Sequence, residues 1–516
     1  MCADNIRLVL RCALLLASVS LTACGGGGKT KAPATAAIST PVPVITSVGT
    51  DFYLTLPDNL CVSSPASCNS PVSNKLIVAA ATATSGNVAF NGVTTPFSVS
   101  AGGETEITLD PAVVLTSNET VEAKGIHVTA LSPVSLHVVS ENATSADGYL
   151  ALPTAGLGTN YYVMSYASNG FPGYSTPGSE FAVVATQNST TVTITTTAAG
   201  VSKPAGTTYT VLLNAGETYE LTNPAFADMT GTHVTADKPI GAFGAHRCAA
   251  IPSGVGYCDY LVEQLPDVSI WGKTFHTSPF SGRGRYTVRV IASQDGTTFT
   301  TLPAGLISGT LNAGQFADVI LTGAGEFVSS SPVLVAQFMH GYKDEAAATQ
   351  GDPSMVLVTP AEMGMTDATF GVHGLAGTSG AFMNVVTETA GLANMKLDNF
   401  VVDPALFKTL GGTSIYSVGT IPVAAGAHSL SGTVPFSALV YDYGTSWNDV
   451  SYAYPVAAKL SLPVDPAVNP PFSGCGAHLQ DDDRYSADAL EHADRTWQTT
   501  QTYREDEDDD SHECDE

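Results

Sequence analysis

Apolar and polar residues alternate with a period of two along most of this chain, in short runs separated by turn residues. The segments 190–195 and 286–290 are clear examples, because valine, isoleucine or tyrosine occupies alternate positions in them. Alternation of this kind is typical of a strand with one buried face. Runs with the period of a helix are scarce, and β-branched residues are abundant. The sequence therefore predicts an all-β fold.

A sequence motif that predicts a strand, a turn with proline and an apolar strand occurs four times. Its prolines lie 106, 93 and 103 residues apart, so each repeat is about 100 residues long. An alanine-glycine turn precedes each proline, and glycine supplies the positive φ that a tight hairpin requires. The prolines are Pro133, Pro239, Pro332 and Pro435, and the turn glycines are Gly102, Gly216, Gly314 and Gly426.

Each repeat has room for roughly six to eight short strands, which suffices for a β-sandwich. We therefore predict about four tandem antiparallel β modules, sandwich-like, between residues 46 and 456. The alternative is a propeller-like ring of blades. Residues 51–57 and 451–455, at the two ends of the repeat region, share an aromatic-proline phrase that suits such a closure.

The N-terminus has the features of a lipoprotein export signal. Arg7 and Arg11 precede an apolar segment, residues 12–23, which is too short to span a hydrocarbon core of about 30 Å. This segment ends in Leu-Thr-Ala before Cys24, which resembles the bacterial lipoprotein box. An ordinary signal peptide and a membrane-helix stub are the alternatives.

We predict a lipoprotein signal peptide over residues 1–23 and a flexible tether over residues 24–45. Acyl chains on Cys24 would hold the protein to a lipid bilayer, because two or three chains anchor stably where one does not. Gly25 is not the aspartate that typically retains lipoproteins at the inner membrane. The predicted location is therefore the outer membrane or the cell surface.

The cysteines also fit an oxidising compartment. Of the nine in the chain, six remain after removal of the signal peptide and acylation of the lipoprotein-box cysteine. None of the six has the CxxC spacing of a zinc site, so we predict structural disulfides. The predicted pairs are Cys61 with Cys68 and Cys248 with Cys258, and Cys475 and Cys514 remain as candidates for a third.

Negative charge is concentrated at the C-terminus. The net charge is −27, and residues 476–516 hold 15 acidic residues against three arginines. A segment of this composition buries too little apolar surface to fold alone. We predict a proline-rich linker over residues 457–475 and an acidic, disordered tail over residues 476–516. Nucleic acid is excluded as a partner, because phosphate binding needs clustered Lys and Arg.

No motif of a catalytic or cofactor site occurs in the sequence. Histidines recur at related positions of the repeat, but each belongs to a different module, so we interpret them as residues of strand faces. Neither a cofactor nor a metal is predicted. The recurring histidines are His127, His233 and His428, and a weaker candidate cluster comprises His246, Asp259, Glu263 and His276.

Aromatic residues cluster around a loop rich in glycine, proline and serine near residue 170. Loops on a rigid scaffold commonly carry binding residues, and aromatic side chains are enriched where binding energy is concentrated. Core packing explains the two adjacent tyrosines of the cluster equally well. The candidate binding residues are Tyr161, Tyr162, Tyr166, Phe171 and Tyr174.

Five segments resemble the N-terminal domain of the IgGFc-binding protein family. They are residues 149–153, 158–166, 179–185, 258–266 and 351–355, and they occur in the family's order. The likeness spans about 50 to 456. Animal members are secreted, mucus-associated proteins named for binding the Fc part of immunoglobulin G. The resemblance alone implies an immunoglobulin-type ligand, and it supports the pairing of Cys248 with Cys258.

These observations favour a surface-tethered lipoprotein with a non-catalytic binding or adhesion role towards a protein or glycan partner. One alternative is a secreted hydrolase of polysaccharide or peptide, because catalytic carboxylates need only meet in space and leave no sequence motif. A structural protein of the cell envelope is a further alternative.

Overall fold

The computed structural model describes residues 44–461 except residues 69, 346–349, 376–379 and 444–449. The predicted signal peptide, Cys24, most of the linker, and the tail with Cys475 and Cys514 lie outside the described residues. Within the described ranges there is one α-helix, Leu60–Ser63. The short 3₁₀ helices are Pro65–Ser67, Pro111–Val113, Thr154–Gly156, Val268–Ile270, Tyr342–Asp344, Ala361–Met363, Thr389–Asn394 and Pro404–Leu406.

The strands form four antiparallel sheets, which we call modules 1 to 4 in chain order. The strands of module 1 are β1 (Gly49–Leu54), β2 (Ser73–Ala80), β3 (Thr84–Phe90), β4 (Val93–Val99), β5 (Gly103–Thr108), β6 (Val121–Glu122), β7 (Ile126–Glu141) and β8 (Ala146–Leu150), of which β6 pairs with module 2. The strands of module 2 are β9 (Gly158–Tyr162), β10 (Ser179–Ala185), β11 (Thr190–Thr195), β12 (Thr208–Leu213), β13 (Thr218–Thr222), β14 (His233–Ala250) and β15 (Cys258–Leu265).

Modules 3 and 4 follow the same plan. The strands of module 3 are β16 (Gly272–Thr277), β17 (Tyr286–Ala292), β18 (Phe299–Leu302), β19 (Phe316–Leu321), β20 (Gly325–Met339) and β21 (Ser354–Leu357). The strands of module 4 are β22 (Met365–Val372), β23 (Ala381–Glu388), β24 (Lys396–Leu397), β25 (Phe400–Val401), β26 (Phe407–Thr409), β27 (Tyr416–Val423), β28 (Gly426–Tyr443) and β29 (Ser451–Pro455).

Each module is built on one long strand, β7, β14, β20 or β28, which contains the repeat proline. In module 1, Gly49 pairs with Val134 and Asp51 with Thr129, so the register skips the residues that end at Pro133. The register of the other three long strands skips the equivalent residues. Proline suits such a bulge because it has no N–H to donate to a ladder. The predicted turn at proline is therefore wrong: the prolines lie inside continuous strands.

The two halves of each long strand belong to two half-sheets. In module 1 the first half of β7 pairs with β1 and β3, and the second half pairs with β2 and β8. We call these the outer and inner half-sheets. Phe52 and Val88 of the outer half-sheet share one core with Leu76 and Val138 of the inner one. Two sheets facing across one core form a sandwich, so the prediction of repeated all-β modules is confirmed.

The last strand of each inner half-sheet lies at a central axis. There β8, β15, β21 and β29 contact one another in cyclic order. The buried carboxyl group of Asp147 accepts hydrogen bonds from the amides of Val262 at 3.2 Å, Met355 at 3.2 Å and Ala453 at 3.3 Å. One side chain of module 1 thus connects all four modules at the axis.

Each module's core also takes in one face of the next module's inner half-sheet. Phe243 and Tyr260 of module 2 belong to the core of module 1, and Phe338 of module 3 belongs to that of module 2. Tyr441 of module 4 packs in the core of module 3, and Ile77 of module 1 packs in the core of module 4. The modules therefore form a closed ring, so the sandwich describes each module and the ring describes their arrangement.

The ring is closed between modules 4 and 1 by both ends of the described chain. Residues 45–47 run alongside residues 458–460, and the amide of Ser47 donates to the carbonyl of Ala458 over 2.8 Å. The predicted closure phrases lie elsewhere: residues 51–57 begin in β1 of an outer half-sheet, and residues 451–455 form β29 at the axis. Residues 451–455 contribute to closure at the axis, where β29 contacts β8 of module 1, whereas the two chain ends meet through residues 45–47 and 458–460.

The alanine-glycine turns recur as predicted. The four turn glycines have positive φ values of 66°, 78°, 76° and 121° in chain order. In modules 1 to 3 the glycine amide donates to an alanine carbonyl at the end of an inner strand, whereas the glycine of module 4 begins β28 directly. The alanines are Ala80, Ala185 and Ala292.

Candidate binding surface

Aromatic side chains of modules 2 and 3 form an exposed cluster at one end of the ring. We define the aromatic surface as Phe171, Tyr174, Tyr257, Tyr342 and Lys343. Tyr174 and Tyr257 are 38% and 42% exposed. Ring centroids lie 5.3 Å apart between Phe171 and Tyr174, 5.4 Å between Phe171 and Tyr257, and 6.0 Å between Tyr257 and Tyr342. Lys343 Nζ lies 4.5 Å from the centroid of Tyr342. The surface therefore combines large amphipathic rings with one cation.

Backbone hydrogen bonds fix the loops that carry these rings. Phe171 and Tyr174 face each other across a tight turn, in which each amide donates to the other's carbonyl over 3.0 and 2.8 Å. Gly173 lies inside this turn at a φ of 85°. The amide of Gly254, in the loop between β14 and β15, donates to the carbonyl of Gly170 over 2.9 Å. The two loops of module 2 are thus held as one unit.

A disulfide braces the hairpin of β14 and β15. Cys248 and Cys258 are bonded with their Cα atoms 5.1 Å apart, immediately beside Tyr257. Leu60 of module 1 and Phe171 pack against this bond. Because the crosslink restricts the hairpin, Tyr257 is presented from a rigid base.

The second predicted disulfide is also present, and it closes a loop of module 1. Cys61 is bonded to Cys68. The side chain of Asn59 accepts a hydrogen bond from the amide of Cys61 over 2.9 Å and caps the short helix. Arg247, which directly precedes Cys248 in β14, donates to the hydroxyl of Ser63. This loop therefore attaches module 1 to the strand beneath the aromatic surface.

Three buried carboxyl groups lie with one cation beneath that loop. Asp58 Oδ2 is 2.8 Å from Arg247 Nε, and Glu220 Oε1 accepts the amide of Asp58 over 2.7 Å. Burial raises the pKa of Asp58 to about 6 against the opposing effect of Arg247. Burial and the neighbouring carboxylates also raise the pKa values of Glu180 and Glu220. This acid cluster therefore binds protons at acidic pH and releases them as the pH rises.

The aromatic surface and the ends of the described chain lie at opposite ends of the ring. Tyr257 directly precedes β15, whereas Gln264 at the other end of β15 accepts the amide of Leu152 over 2.8 Å. Leu152 packs with Ile45 and Leu460, next to the first and last described residues. Eight residues of strand at about 3.3 Å each separate the two ends by roughly 26 Å.

The structure brings two of the five predicted aromatic residues, Phe171 and Tyr174, to this surface. Tyr161 is fully buried and Tyr166 is 9% exposed, and both belong to the core of module 2. Tyr162 is half-buried and stacks on His233 with centroids 4.5 Å apart. All three residues therefore pack in the core or against a neighbouring strand. Core packing was the alternative interpretation of Tyr161 and Tyr162.

Sequence reasoning missed Tyr257, Tyr342 and Lys343. Tyr257 had a usable signal, because it lies inside the short loop that the predicted Cys248 and Cys258 pair closes. Tyr342 and Lys343 follow β20 in module 3, and they reach the surface only because module 3 packs against module 2. That contact joins residues about 85 positions apart in the chain, so no local pattern announces it.

The recurring histidines lie on outer half-sheets opposite aromatic partners. His127 pairs across strands with Tyr53, and His233 pairs in the same way with Tyr162. Their rings are stacked, with centroids 4.2 and 4.5 Å apart. His428 pairs across strands with Phe370. The repeated histidine is thus one member of a cross-strand pair.

The weaker candidate cluster has separate surroundings for each histidine. His246 is buried, its Nδ1 accepts the amide of Cys248 over 3.0 Å, and burial lowers its pKa to about 3. His276 Nε2 lies 3.1 Å from a carboxylate oxygen of Glu326. Among the described residues, no group of three or more His, Cys, Asp or Glu is arranged to hold a metal ion.

The described part of the chain contains no helix that is long and apolar enough to cross a membrane.

Comparisons with known proteins confirm the family resemblance of the five sequence segments. The family model described as IgGFc binding protein matches residues 147–441, from β8 of module 1 to β28 of module 4. The human IgGFc-binding protein is 25% identical over 279 residues, which are 53% of this chain and 5% of that protein. A solved structure titled "Ca2+-stabilized adhesin helps an Antarctic bacterium reach out and bind ice" covers 81% of this chain and 99% of its own, at 14% identity and a TM-score of 0.11, which carries no argument.

The family match covers more than half of the 516 residues and includes the two loops of module 2 and the segment of module 3 that form the aromatic surface. The chain spans only a small part of the human relative. The match therefore does not establish that this chain has that protein's full activity. The family assignment rests instead on the continuous run through three modules. This chain belongs to the IgGFc binding protein family.

Proposed function

We propose that this chain is a surface-tethered lipoprotein that binds a protein ligand through the aromatic surface, without catalysis. The observation that carries the proposal is the position of that surface: it lies at the end of the ring opposite Ile45 and Leu460. The family and the human relative are both named for binding, which supports a binding role.

A lipid anchor at Cys24 would orient the ring. If the 19 residues between Cys24 and Val44 form the predicted flexible tether, a chain of that length would span roughly 25 Å. The chain would then enter the ring at its bilayer-facing end, and the aromatic surface would face outwards. Uptake of labelled palmitate by the native chain but not by a Cys24→Ala variant tests the anchor.

Exposed rings held on crosslinked loops suit recognition, because little conformational entropy is lost when they become buried. Tyr257 is the best placed of them, since it is exposed, contacts Phe171 and Tyr342, and adjoins Cys258. We expect Tyr257→Ala to weaken ligand binding by about 2 kcal/mol, which is the usual scale for a central aromatic residue.

The test uses the full chain against the Fc fragment of immunoglobulin G, whole serum proteins and mucins. Tyr174→Ala and Tyr257→Ala should reduce retention of the ligand. Phe400→Ala is the matched control, because Phe400 is 78% exposed on the module 4 hairpin and outside the aromatic surface.

Retention of none of these proteins would overturn the binding proposal. Retention that Phe400→Ala abolishes and Tyr257→Ala leaves unchanged would place the site elsewhere. Binding of mucin that disappears after removal of its glycans would replace the protein ligand by a carbohydrate.

A further inference from the structure

A second concave site lies at the end of the ring opposite the aromatic surface. It is a cavity of about 70 Å³, open on one side, where the inner strands end. Leu150, Leu357 and Pro455 from the ends of β8, β21 and β29 contribute to its wall, together with Trp271 and Leu460. Apolar side chains thus converge on it from all four modules.

Four polar residues are among those that line this cavity: Glu263, Gln264, Thr359 and Lys459. Glu263 is 1% exposed, and its Oε1 accepts the amide of Leu357 over 3.0 Å. Burial raises the pKa of Glu263 well above its usual range.

The amide group of Gln264 is only half used. Its Oε1 accepts the amide of Leu152 over 2.8 Å, whereas its Nε2 has no hydrogen-bond partner among the described residues. Gln264 is 2% exposed. A buried donor without a partner is costly, and such groups in native proteins commonly mark a bound water or ligand.

We propose that this axial cavity binds a small, neutral, mainly apolar molecule that carries one hydrogen-bond acceptor, such as a ketone or an amide. The many apolar lining residues favour an apolar body, and Gln264 Nε2, a buried donor without a partner among the described residues, favours a ligand with an acceptor. The acceptor would receive a hydrogen bond from Gln264 Nε2. This site is separate from the aromatic surface, so its failure leaves the proposed function untouched.

The test compares two molecules of the same shape, cyclopentanone and methylenecyclopentane, which differ in whether the exocyclic atom accepts a hydrogen bond. Each is titrated into the full chain labelled with ¹⁵N-tryptophan, and the indole resonance of Trp271 is followed. We expect cyclopentanone to bind at least tenfold more tightly, because a site built around a polar partner rejects an analogue that lacks it.

Three variants localise the effect. Gln264→Leu should reduce the preference for the ketone to less than threefold, and Ala458→Leu should abolish binding of both molecules by filling the mouth. Glu263→Gln is the matched control and should retain the preference, because it keeps an acceptor for the amide of Leu357 and leaves Gln264 unchanged. Should Gln264→Leu fail to fold, the comparison in the native chain and in Ala458→Leu still decides.

No shift of the Trp271 resonance with cyclopentanone up to 50 mM would overturn the proposal and leave only water in the cavity. Equal affinity for the two molecules would also overturn it, because the polar groups would then contribute nothing to selection. Binding that persists in Ala458→Leu would exclude this cavity as the site.

Discussion

At two contacts between neighbouring modules, a buried cation lies between two carboxylates, but the cation differs. Between modules 2 and 3, the guanidinium group of Arg289 lies 2.7 Å from Asp228 and 2.7 Å from Asp318. It also stacks 4.1 Å from the ring centroid of Phe316 and donates to the carbonyl of Ser165 over 2.8 Å. We call this contact joint 2–3. Its cation is 3% exposed and surrounded on every side.

Between modules 4 and 1, where the ring closes, the cation is an imidazole. His373 Nδ1 lies 2.7 Å from Glu106, and its Nε2 lies 3.0 Å from Glu141. Lys75 lies 2.8 Å from Glu141 and joins the same network. Burial disfavours the charged imidazole, but the hydrogen bonds to both carboxylates outweigh it and raise the pKa of His373 to about 9. We call this contact joint 4–1.

The ring therefore has one joint whose cation is permanently charged and one whose cation loses its charge as the pH rises. Hydrogen bonds and charges of Asp318 and Asp228 outweigh burial and raise the pKa of Arg289 above its usual value, so it stays charged at any physiological pH. At joint 4–1, burial and the charge of Glu106 also raise the pKa of Glu104 to about 7. Of these two joints, joint 4–1 is therefore the one that alkaline conditions should weaken.

The largest effect is expected when the permanent cation is removed. Arg289→Met removes a buried cation, but Asp228 is half-buried and Asp318 is 38% exposed, so water can partly solvate the carboxylates and the cost should lie at the lower end of the range for a broken buried pair, about 3 kcal/mol. Urea unfolding at pH 7 measures the loss, and it should change little between pH 6 and 9. Lys238→Met is the control, because water and salt screen its exposed pair with Asp237 and the pair contributes little to stability. A loss for Arg289→Met no larger than the control's would contradict the assignment.

The next effect concerns the backbone of the two joints. Gly231 in joint 2–3 has a φ of 84°, and a Cβ added there would lie 2.3 Å from the carbonyl oxygen of Gly314. We expect Gly231→Ala to cost about 2–3 kcal/mol from strain and overlap.

Gly371 at joint 4–1 provides the comparison for this glycine effect. A Cβ there would meet side-chain atoms of Ile77 and Glu104, at 2.3 and 2.4 Å. Because side chains shift more easily than backbone, Gly371→Ala should cost less than Gly231→Ala in the same urea titration. The reverse order would show that joint 4–1 is the more rigid of the two joints.

A smaller, pH-dependent effect is expected at joint 4–1. Because the pKa of His373 is higher in the folded chain than in the unfolded one, its contribution is full below about pH 6.5 and is lost as the pH rises through about 9. His373→Gln should therefore lower the free energy of unfolding by about 1–2 kcal/mol at pH 6, and the deficit should vanish near pH 10.

The control for the titration of His373 is His127→Gln, which removes a more exposed contact with Asp51. It should change the free energy of unfolding by less than His373→Gln does at pH 6. A deficit for His373→Gln that is constant from pH 6 to 10 would show that the imidazole contributes through packing and not through its charge.

The smallest effect is expected at the joint between modules 1 and 2, where the acid cluster lies. Burial raises the pKa of Asp58 to about 6 and that of Glu220 to about 8, and raises that of Glu180 well above its usual value, so stability that is full below about pH 4 is lost as the pH rises through these values. Glu180→Gln removes one titrating group and should reduce this loss by about 1 kcal/mol at pH 8, and it should leave the free energy of unfolding unchanged at pH 4. Destabilisation at pH 8 would mean that the carboxylate is needed for packing there.

Much of the module could be predicted, because its signals are local. Alternating segments such as Thr190–Thr195 became strands with one buried face, and Gly216 and Gly314 turn the chain with positive φ. Both short-range disulfides join cysteines only 7 and 10 residues apart. Each of these features depends on neighbours in the chain, so the sequence displays them directly.

The site was predicted only in part, since its members come from two modules. Phe171 and Tyr174 share one loop, and the composition of that loop indicated them. Tyr161 lies in a nearby run with similar residues, yet it is buried, because strand alternation turns it towards the core. Tyr342 has no sequence feature that distinguishes it from a core tyrosine, and only its contact with Tyr257 reveals it.

By itself the sequence determined the all-β class, the number of repeats, their turns and their crosslinks, because periodicity, glycine conformation and short loop closure act between residues close in the chain. Only the tertiary structure decided that the repeat prolines lie within continuous strands, that the modules close into a ring, and which cation holds each joint. Those outcomes depend on packing between segments that can be more than 400 residues apart, such as residues 45–47 against 458–460. Local sequence patterns do not specify contacts between residues so far apart. Burial of apolar surface in a shared core determines which segments pack together.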